Sequence, residues 1–374
     1  MIRNYIINKA LIESGCEELP YVKEVLSRLS GIPIETGVNV KSLVSQATDI
    51  ASLFNEGKKT LLLMKNRGKF LKLCPGTSSH LCCLYQVLHH AAGCPLDCSY
   101  CILQAYLNNP NIVYYANVDD MTEELRERFS KIQGEIFRLG TGEYTDSLAL
   151  ESIMQTTHRL APILHEFPGV FLELKTKTVD IEAIRGLEPR ERMILAWSLN
   201  PDRLIQKEEI GAAPLGERLN AASIAQSRGH PVAFHFDPLL FFEGWEEAYR
   251  QVVRQLSEAV DISRVFWISL GSFRFPPPLK PVIQKRFPDS RILYEEFIPG
   301  EDGKMRYFKP LRIGMYRNMV KWLKEAHPDV FIYLCMERAD VWDASLGFHP
   351  KNNLDLKRML DERCISLQAK RGRI

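Results

Sequence analysis

The chain has 374 residues, 45% of them hydrophobic and 25% charged, which suits one large α/β domain or two small ones with a sizeable core. A formal net charge of +2 excludes a global electrostatic footprint for nucleic acid, so any such surface must be a local patch. Nine unevenly spaced cysteines do not form a secreted disulfide framework.

Taken in chain order, residues 59–64 are a short apolar run of strand type. Residues 121–132 have the charged, apolar-punctuated pattern of a surface helix. Residues 134–139 end a strand, and 148–164 have helical spacing. Residues 170–175 are again a strand, 181–186 a short helix, and 193–199 a strand. The pattern continues with a helix over 215–228, a strand over 231–236, an amphipathic helix over 245–260 and a strand over 265–270. Strands alternating with helices in this way predict βαβ units and a parallel sheet. About six units are too few to close eight strands. The expected fold is therefore α/β: a partial, laterally open (β/α)6 barrel with N-terminal and C-terminal additions. Its divisions are expected at 1–85 (an α/β segment packed on the barrel), 86–300 (the barrel) and 301–374 (a basic hairpin and a C-terminal segment). In such sheets the chemistry sits at the carboxyl ends of the strands.

No apolar run reaches the length of a membrane span, and the N-terminus lacks the apolar core of a signal peptide. The expectation is a soluble, cytoplasmic monomer with no membrane partner.

The sharpest chemical signal is Gly93-Cys-Pro-Leu-Asp-Cys-Ser-Tyr-Cys-Ile-Leu, which spaces Cys94, Cys98 and Cys101 as CxxxCxxC. Three thiolates on one short loop can hold three corners of a [4Fe–4S] cluster and leave the fourth iron open. The alternative is a zinc knot completed by His89 or His90. Zinc sites more often use two such pairs far apart, and no second pair exists here. The spacing, with Tyr100 inside it, resembles the signature of the radical S-adenosylmethionine (SAM) superfamily.

From Gly93 onward the chain resembles the spore photoproduct lyase branch of that superfamily. The matching blocks are the cysteine loop, Thr145-Asp146, Leu174-Lys175, Val179-Asp180 and Trp197-Ser-Leu-Asn200. They continue through Pro214-Leu-Gly-Glu-Arg218, Pro238 with Phe242-Glu-Gly-Trp-Glu-Glu-Ala-Tyr249, Phe273-Arg-Phe275 and the basic segment 304–316. The resemblance implies a [4Fe–4S] cluster and SAM as cofactors, and an external electron donor of flavodoxin or ferredoxin type. It also implies cleavage of SAM to a 5′-deoxyadenosyl radical that abstracts hydrogen from a methylene-bridged thymine dimer in DNA. It implies cofactor contacts as well: Glu143 for the SAM amino group, Thr145 beside it, Lys175 for the carboxylate, and Ser198 and Asn200 for the ribose. Lys175 could instead be a solvated strand-end lysine, and Ser198 with Asn200 an ordinary turn.

The chain also departs from the lyases. They carry a hydrogen-donor cysteine after the second strand, where Glu143 stands here, and a second tyrosine after the third cluster cysteine, where Ile102 stands. A carboxylate has no weak X–H bond to give up. Cys335 is the candidate substitute, in an alternation that puts it on one strand face with Tyr333 and Glu337; its alternative is a buried structural cysteine. Tyr100 and Glu143 complete the candidate catalytic set.

Residues 303–317 interleave cations with aromatics, as a hairpin that meets phosphates and unpaired bases would, with Pro310 turning between its arms. The expected nucleic-acid contacts are Arg274, Lys304, Arg306, Tyr307, Lys309 and Arg312. An ordinary solvent-exposed hairpin is the alternative, and Lys65, Arg67, Lys69 and Lys72 form a second ambiguous basic stretch. Two rival functions stay open: the same radical chemistry on a modified nucleotide, peptide or small molecule, and a non-catalytic zinc- or cluster-containing nucleic-acid binder.

Overall fold

The computed structural model describes residues 7–43, 50–77, 79–132 and 134–371. Its main sheet contains seven parallel strands that lie side by side in chain order: β1 (Gln86–Leu88), β2 (Phe137–Gly140), β3 (Val170–Thr176), β4 (Met193–Ser198), β5 (Val232–Leu239), β6 (Val265–Ser272) and β7 (Ile332–Leu334). Leu71–Leu73 adds an antiparallel edge beside β1. The order of pairing is linear and the two edges do not meet, so the sheet is an open half-barrel. This agrees with the expected architecture.

Helices pack outside the sheet because each offers one apolar stripe. In Trp245–Ala259 the buried residues Trp245, Tyr249, Val252, Val253 and Leu256 recur at helical spacing, and the helix packs against its neighbours Leu215–Ser227 and Lys309–Ala326. The crossover from β3 to β4 contains only the short 3₁₀ turns Ile181–Ile184 and Arg190–Arg192, where the sequence predicts a helix. Among the described residues no helix is long and apolar enough to cross a membrane.

The sheets do not respect the expected divisions. A second sheet has the order Ile34–Val38, Lys9–Glu13, Thr60–Met64, Ile112–Tyr115, Ala91–Ala92, and so takes strands from both sides of residue 85. At the other end β7 belongs to the barrel although it lies beyond residue 300. One continuous buried cluster joins the two sheets and the C-terminal helix Asn353–Arg371.

The basic segment also differs from expectation. Met305–Tyr307 pairs antiparallel with both Phe297–Pro299 and Arg274–Phe275, and the chain then enters the helix Lys309–Ala326. Pro310 stands in the first turn of that helix, where a missing N–H leaves no hydrogen bond unmade. The hairpin turns earlier, around Gly303, whose φ of 72° suits glycine.

Candidate active site

The cysteine loop leaves the second sheet at Gly93. A Cβ there would stand 2.8 Å from the Asn111 carbonyl oxygen, and φ is 89°, so both space and backbone require glycine. Asp97–Cys98 pairs antiparallel with Glu209–Ile210, which ties the loop to the segment beyond β4. Cys98 is buried, and Cys94 and Cys101 are half-buried. Burial pushes the Cys94 thiol up to about 12, and burial raises Cys98 further. A metal would displace those protons.

The donor set fits a cluster better than a single ion. The three thiols come from one loop, as a cubane's separate irons need. Neither candidate zinc histidine is offered to them. His89 stands between Lys72 Nζ, 2.7 Å from Nδ1, and the Tyr115 hydroxyl, 3.3 Å from Nε2. The His90 ring lies 3.2 Å from its own strand's Leu88 carbonyl.

Behind the loop lies a buried polar network that sequence reasoning missed. The Tyr100 hydroxyl donates to Glu209. Lys177 Nζ donates to Glu209 Oε1 and to the Tyr100 oxygen, each at 3.0 Å, and Arg218 donates to the other carboxylate oxygen. Asn200 Nδ2 donates to Glu209 Oε1 at 2.9 Å, and its Oδ1 accepts from Tyr249 at 2.7 Å. Burial works against the Glu209 carboxylate, but Arg218 and Lys177 outweigh it and hold its pKa well below the usual range. Glu209 sits in Gln206-Lys-Glu-Glu-Ile, which reads as a solvated charged run; nothing local marks it. Tyr100 is thus a buried partner of Glu209. Asn200, expected to meet the ribose, is joined to this network by both ends of its amide.

The residues expected to meet SAM gather at the carboxyl end of β3. Lys175 and Glu143 form an ion pair. Burial disfavours the Lys175 ammonium, yet Glu143 more than compensates and raises its pKa. Gly142 makes this approach possible, because a Cβ there would stand 2.7 Å from that of Lys175. Thr145 is buried beside Tyr114. Ser198, at the end of β4, is buried and its carbonyl accepts from Arg218 at 2.7 Å. The strand-end lysine is therefore paired across the mouth rather than solvated alone.

Across the barrel, the Asp237 carboxylate receives both terminal nitrogens of Arg274 at 3.1 Å, and Arg274 Nη2 lies 3.5 Å from Cys335 Sγ. Gly271 leaves room for this group, since a Cβ there would meet the Asp237 carboxyl carbon at 2.6 Å. Burial, then Asp237, raise the Cys335 thiol well above its ordinary pKa. β7 ends at Leu334, and Met336 has a φ of 54°, so the predicted alternation stops at Cys335. Glu337 turns instead to Arg312 Nε at 3.0 Å and the Tyr316 hydroxyl at 2.8 Å.

The expected nucleic-acid residues divide sharply. Tyr307 is 0% exposed, and its hydroxyl oxygen accepts from the Phe241 N–H at 3.1 Å. Arg306 and Arg312 are 2% and 6% exposed and pair with Asp302 and Glu337. Arg274 is held by Asp237. These four are internal groups, which corrects the picture of a solvated basic hairpin. Lys304 is largely covered and lies 3.7 Å from Asp302, while Lys309 is exposed and paired with Asp340. Burial, then Arg274, lowers the pKa of both Lys304 and Arg306, so cations are crowded at this edge of the mouth.

A family model described as spore photoproduct lyase matches residues 17–320. The chain belongs to the spore photoproduct lyase family. Two curated members, each named spore photoproduct lyase, come from Bacillus subtilis (strain 168) and Geobacillus sp. (strain Y412MC61). They are 27% identical over 209 residues and 28% identical over 214 residues. Each match covers 55% of this chain and spans 61% of the length of the relative. Solved structures share the fold. A spore photoproduct lyase mutant superimposes with a TM-score of 0.78 at 22% identity. A spore photoproduct lyase complexed with dinucleoside spore photoproduct does so with 0.77 at 21%. Both comparisons cover 88% of this chain and 99% of the other. Membership in the spore photoproduct lyase family agrees with the resemblance read from the cysteine loop and the blocks that follow it.

Proposed function

We propose that this protein is a radical SAM enzyme that reverses a pyrimidine lesion of the spore photoproduct type in DNA. The observation that carries the proposal is the tie between the three-thiol loop and the Lys175–Glu143 ion pair: the Gly93 N–H donates at 2.9 Å to the carbonyl of Tyr144, the residue after Glu143. Cys94, Cys98 and Cys101 would hold a [4Fe–4S] cluster. Lys175, Glu143, Thr145 and Ser198 would hold SAM. When bound, cluster and SAM together supply a 5′-deoxyadenosyl radical.

The chain's own residues supply the surroundings. Lys175 offers a point charge for a carboxylate. Glu143 offers an acceptor for an ammonium, so the ion pair now joining the two would open around a zwitterion. Cys335 faces the mouth with its proton retained by burial, so its S–H bond is intact at neutral pH. It can return a hydrogen atom to a carbon radical, which Glu143 cannot. A spore photoproduct lyase mutant of the same fold, with bound AdoMet and dinucleoside spore photoproduct, supports a mouth that accommodates both. The DNA substrate and an external one-electron donor belong to this proposal, as does action in the cytoplasm as a monomer.

The decisive experiment incubates the reduced, reconstituted protein with SAM and ultraviolet-irradiated DNA and identifies the products by mass spectrometry. Restored thymines are expected together with SAM cleavage. Cleavage of SAM with no change in the DNA would favour a different substrate. One observation supports that second reading: Glu143 stands where the lyases carry their hydrogen-donor cysteine.

A further inference from the structure

Every cysteine carbonyl of the cluster loop is held by a side chain from outside the CxxxCxxC motif or from just beyond it. Lys58 Nζ donates to the carbonyls of Cys94 at 3.1 Å and Leu96 at 2.6 Å, and lies 3.5 Å from Asp97. Gln104 Nε2 donates to the carbonyls of Cys98 at 3.2 Å, Ser99 at 3.1 Å and Cys101 at 3.4 Å. Arg286 fixes both ends of this arrangement. Its Nη1 donates to Gln104 Oε1, which leaves the amide nitrogen to face the carbonyls, and its Nη2 lies 3.0 and 2.9 Å from the two oxygens of Asp97.

Arg286 arrives from the end of the helix Leu279–Arg286, far away in sequence. Its guanidinium sits between the rings of Phe54 and Phe287, each centroid 4.8 Å away, and the side chain is 2% exposed. Its buried Nε has no hydrogen-bond partner among the described residues. Burying a cation with one donor unmet is unfavourable, so packing here specifies the position at some expense. Lys58 is also largely buried. Lys58 and Arg286 thus bring two cations to this side of the loop, with Asp97 between them, while Glu208 accepts from the Ser99 hydroxyl at 2.5 Å and Lys177 pairs with Glu209 behind Tyr100.

We propose that Lys58 and Arg286 are positioning residues for the cluster loop and that the positive charge of each raises the reduction potential of the cluster. The proposal rests on the reading of Cys94, Cys98 and Cys101 as cluster ligands. Reduction adds negative charge to the cluster, and a fixed nearby cation stabilises that charge, most where water is excluded. Hydrogen bonds to the cysteine carbonyls fix the distance at which it acts.

The test is an EPR-monitored redox titration of the reconstituted full chain, with iron and sulfide assayed on each preparation. In Lys58→Met the ratio of reduced to oxidised cluster at a fixed applied potential should fall about tenfold, a shift of about 59 mV for one electron. Lys58→Arg should keep the wild-type potential, because charge and donors are retained. Arg286→Gln should lower the potential similarly and alter the EPR line shape as Gln104 is released. If Lys58→Met does not load, loading of Lys58→Arg at the wild-type potential with a lowered potential in Arg286→Gln still supports the proposal. Fully loaded Lys58→Met and Arg286→Gln proteins with the wild-type potential would overturn it. A wild-type protein that takes up no iron–sulfur cluster would overturn the underlying assignment instead, and this proposal with it.

Discussion

Arg274 Nη2 stands 3.5 Å from Cys335 Sγ while the same guanidinium is held by Asp237 on the neighbouring strand. Cys335 follows β7, the strand at the opposite edge of the sheet from β1, which precedes the cysteine loop, and we propose that its thiol serves the reaction at the mouth. Cys335→Ala should therefore keep 5′-deoxyadenosine formation while lowering correct lesion reversal about tenfold or more. The missing product should appear as adducts or uncoupled SAM cleavage, read by mass spectrometry. An unaltered product distribution would return Cys335 to packing. The pH profile gives a second check. Burial raises this thiol above its ordinary range, so the S–H form persists through pH 7 to 9 and no loss of hydrogen return should follow a free cysteine's titration near 8.5.

Glu209→Gln should destabilise the protein strongly. The wild-type carboxylate balances Arg218 and Lys177 in a site where Glu209 and Arg218 side chains are fully buried. Removing its charge leaves those cations uncompensated, for which about 3–5 kcal/mol is typical. Its folded-state pKa is depressed, so its stabilisation is full above the unfolded carboxylate value of about 4.3 and is lost as pH falls below it. The stability gap between wild type and Glu209→Gln, measured by chemical denaturation, should be widest near neutral pH and shrink in acid. A gap independent of pH would show that the variant acts through packing alone.

The half-barrel and the cluster loop were legible because both depend on local pattern: strand–helix alternation, and three cysteines within eight residues. Lys175 and Glu143 were singled out by the family resemblance, while their ion pair depends on the close approach that Gly142 permits and has no local sequence signal. The network around Glu209 was not legible, since it joins Tyr100 of the cysteine loop, Lys177 after β3, Asn200 and Arg218 from the crossover after β4 and Tyr249 from the helix after β5, and each of those residues alone suits a surface. The basic segment misled for the converse reason. Interleaved cations and aromatics look solvent-facing until Asp302 and Glu337 supply buried partners for Arg306 and Arg312, and until Pro310 is seen to open a helix. Asp237, Gly271 and Arg274 show the same limit, because their meeting depends on how neighbouring strands align.

Lys175→Ala should weaken SAM binding about tenfold or more, measured by calorimetry, while the iron content and visible spectrum of the cluster stay unchanged. The charge pair with Glu143 makes the effect specific. In the variant Glu143 would face a carboxylate with no intervening cation, so affinity should recover in part in Lys175→Arg but not in Lys175→Gln. Equal affinity in all three would assign Lys175 only to holding Glu143.

The burial of the basic segment separates its residues by experiment. Arg312→Ala removes the cation that faces Glu337 at 3.0 Å in a dry site, so the loss should appear first as stability, on the order of 3–5 kcal/mol. Lys309 is exposed and its ion pair with Asp340 is solvated, so Lys309→Ala should leave stability nearly unchanged. If DNA lies along this edge, Lys309→Ala should make the slope of log K against log salt shallower by about 0.9 for the lost phosphate contact. Lys304→Ala should behave likewise, because Arg274 already crowds its charge and an incoming phosphate would offset that repulsion. Arg312→Ala, assayed where it remains folded, should keep the wild-type slope. Unchanged slopes in both lysine variants would remove this edge as a phosphate contact and favour a substrate without a nucleic-acid backbone.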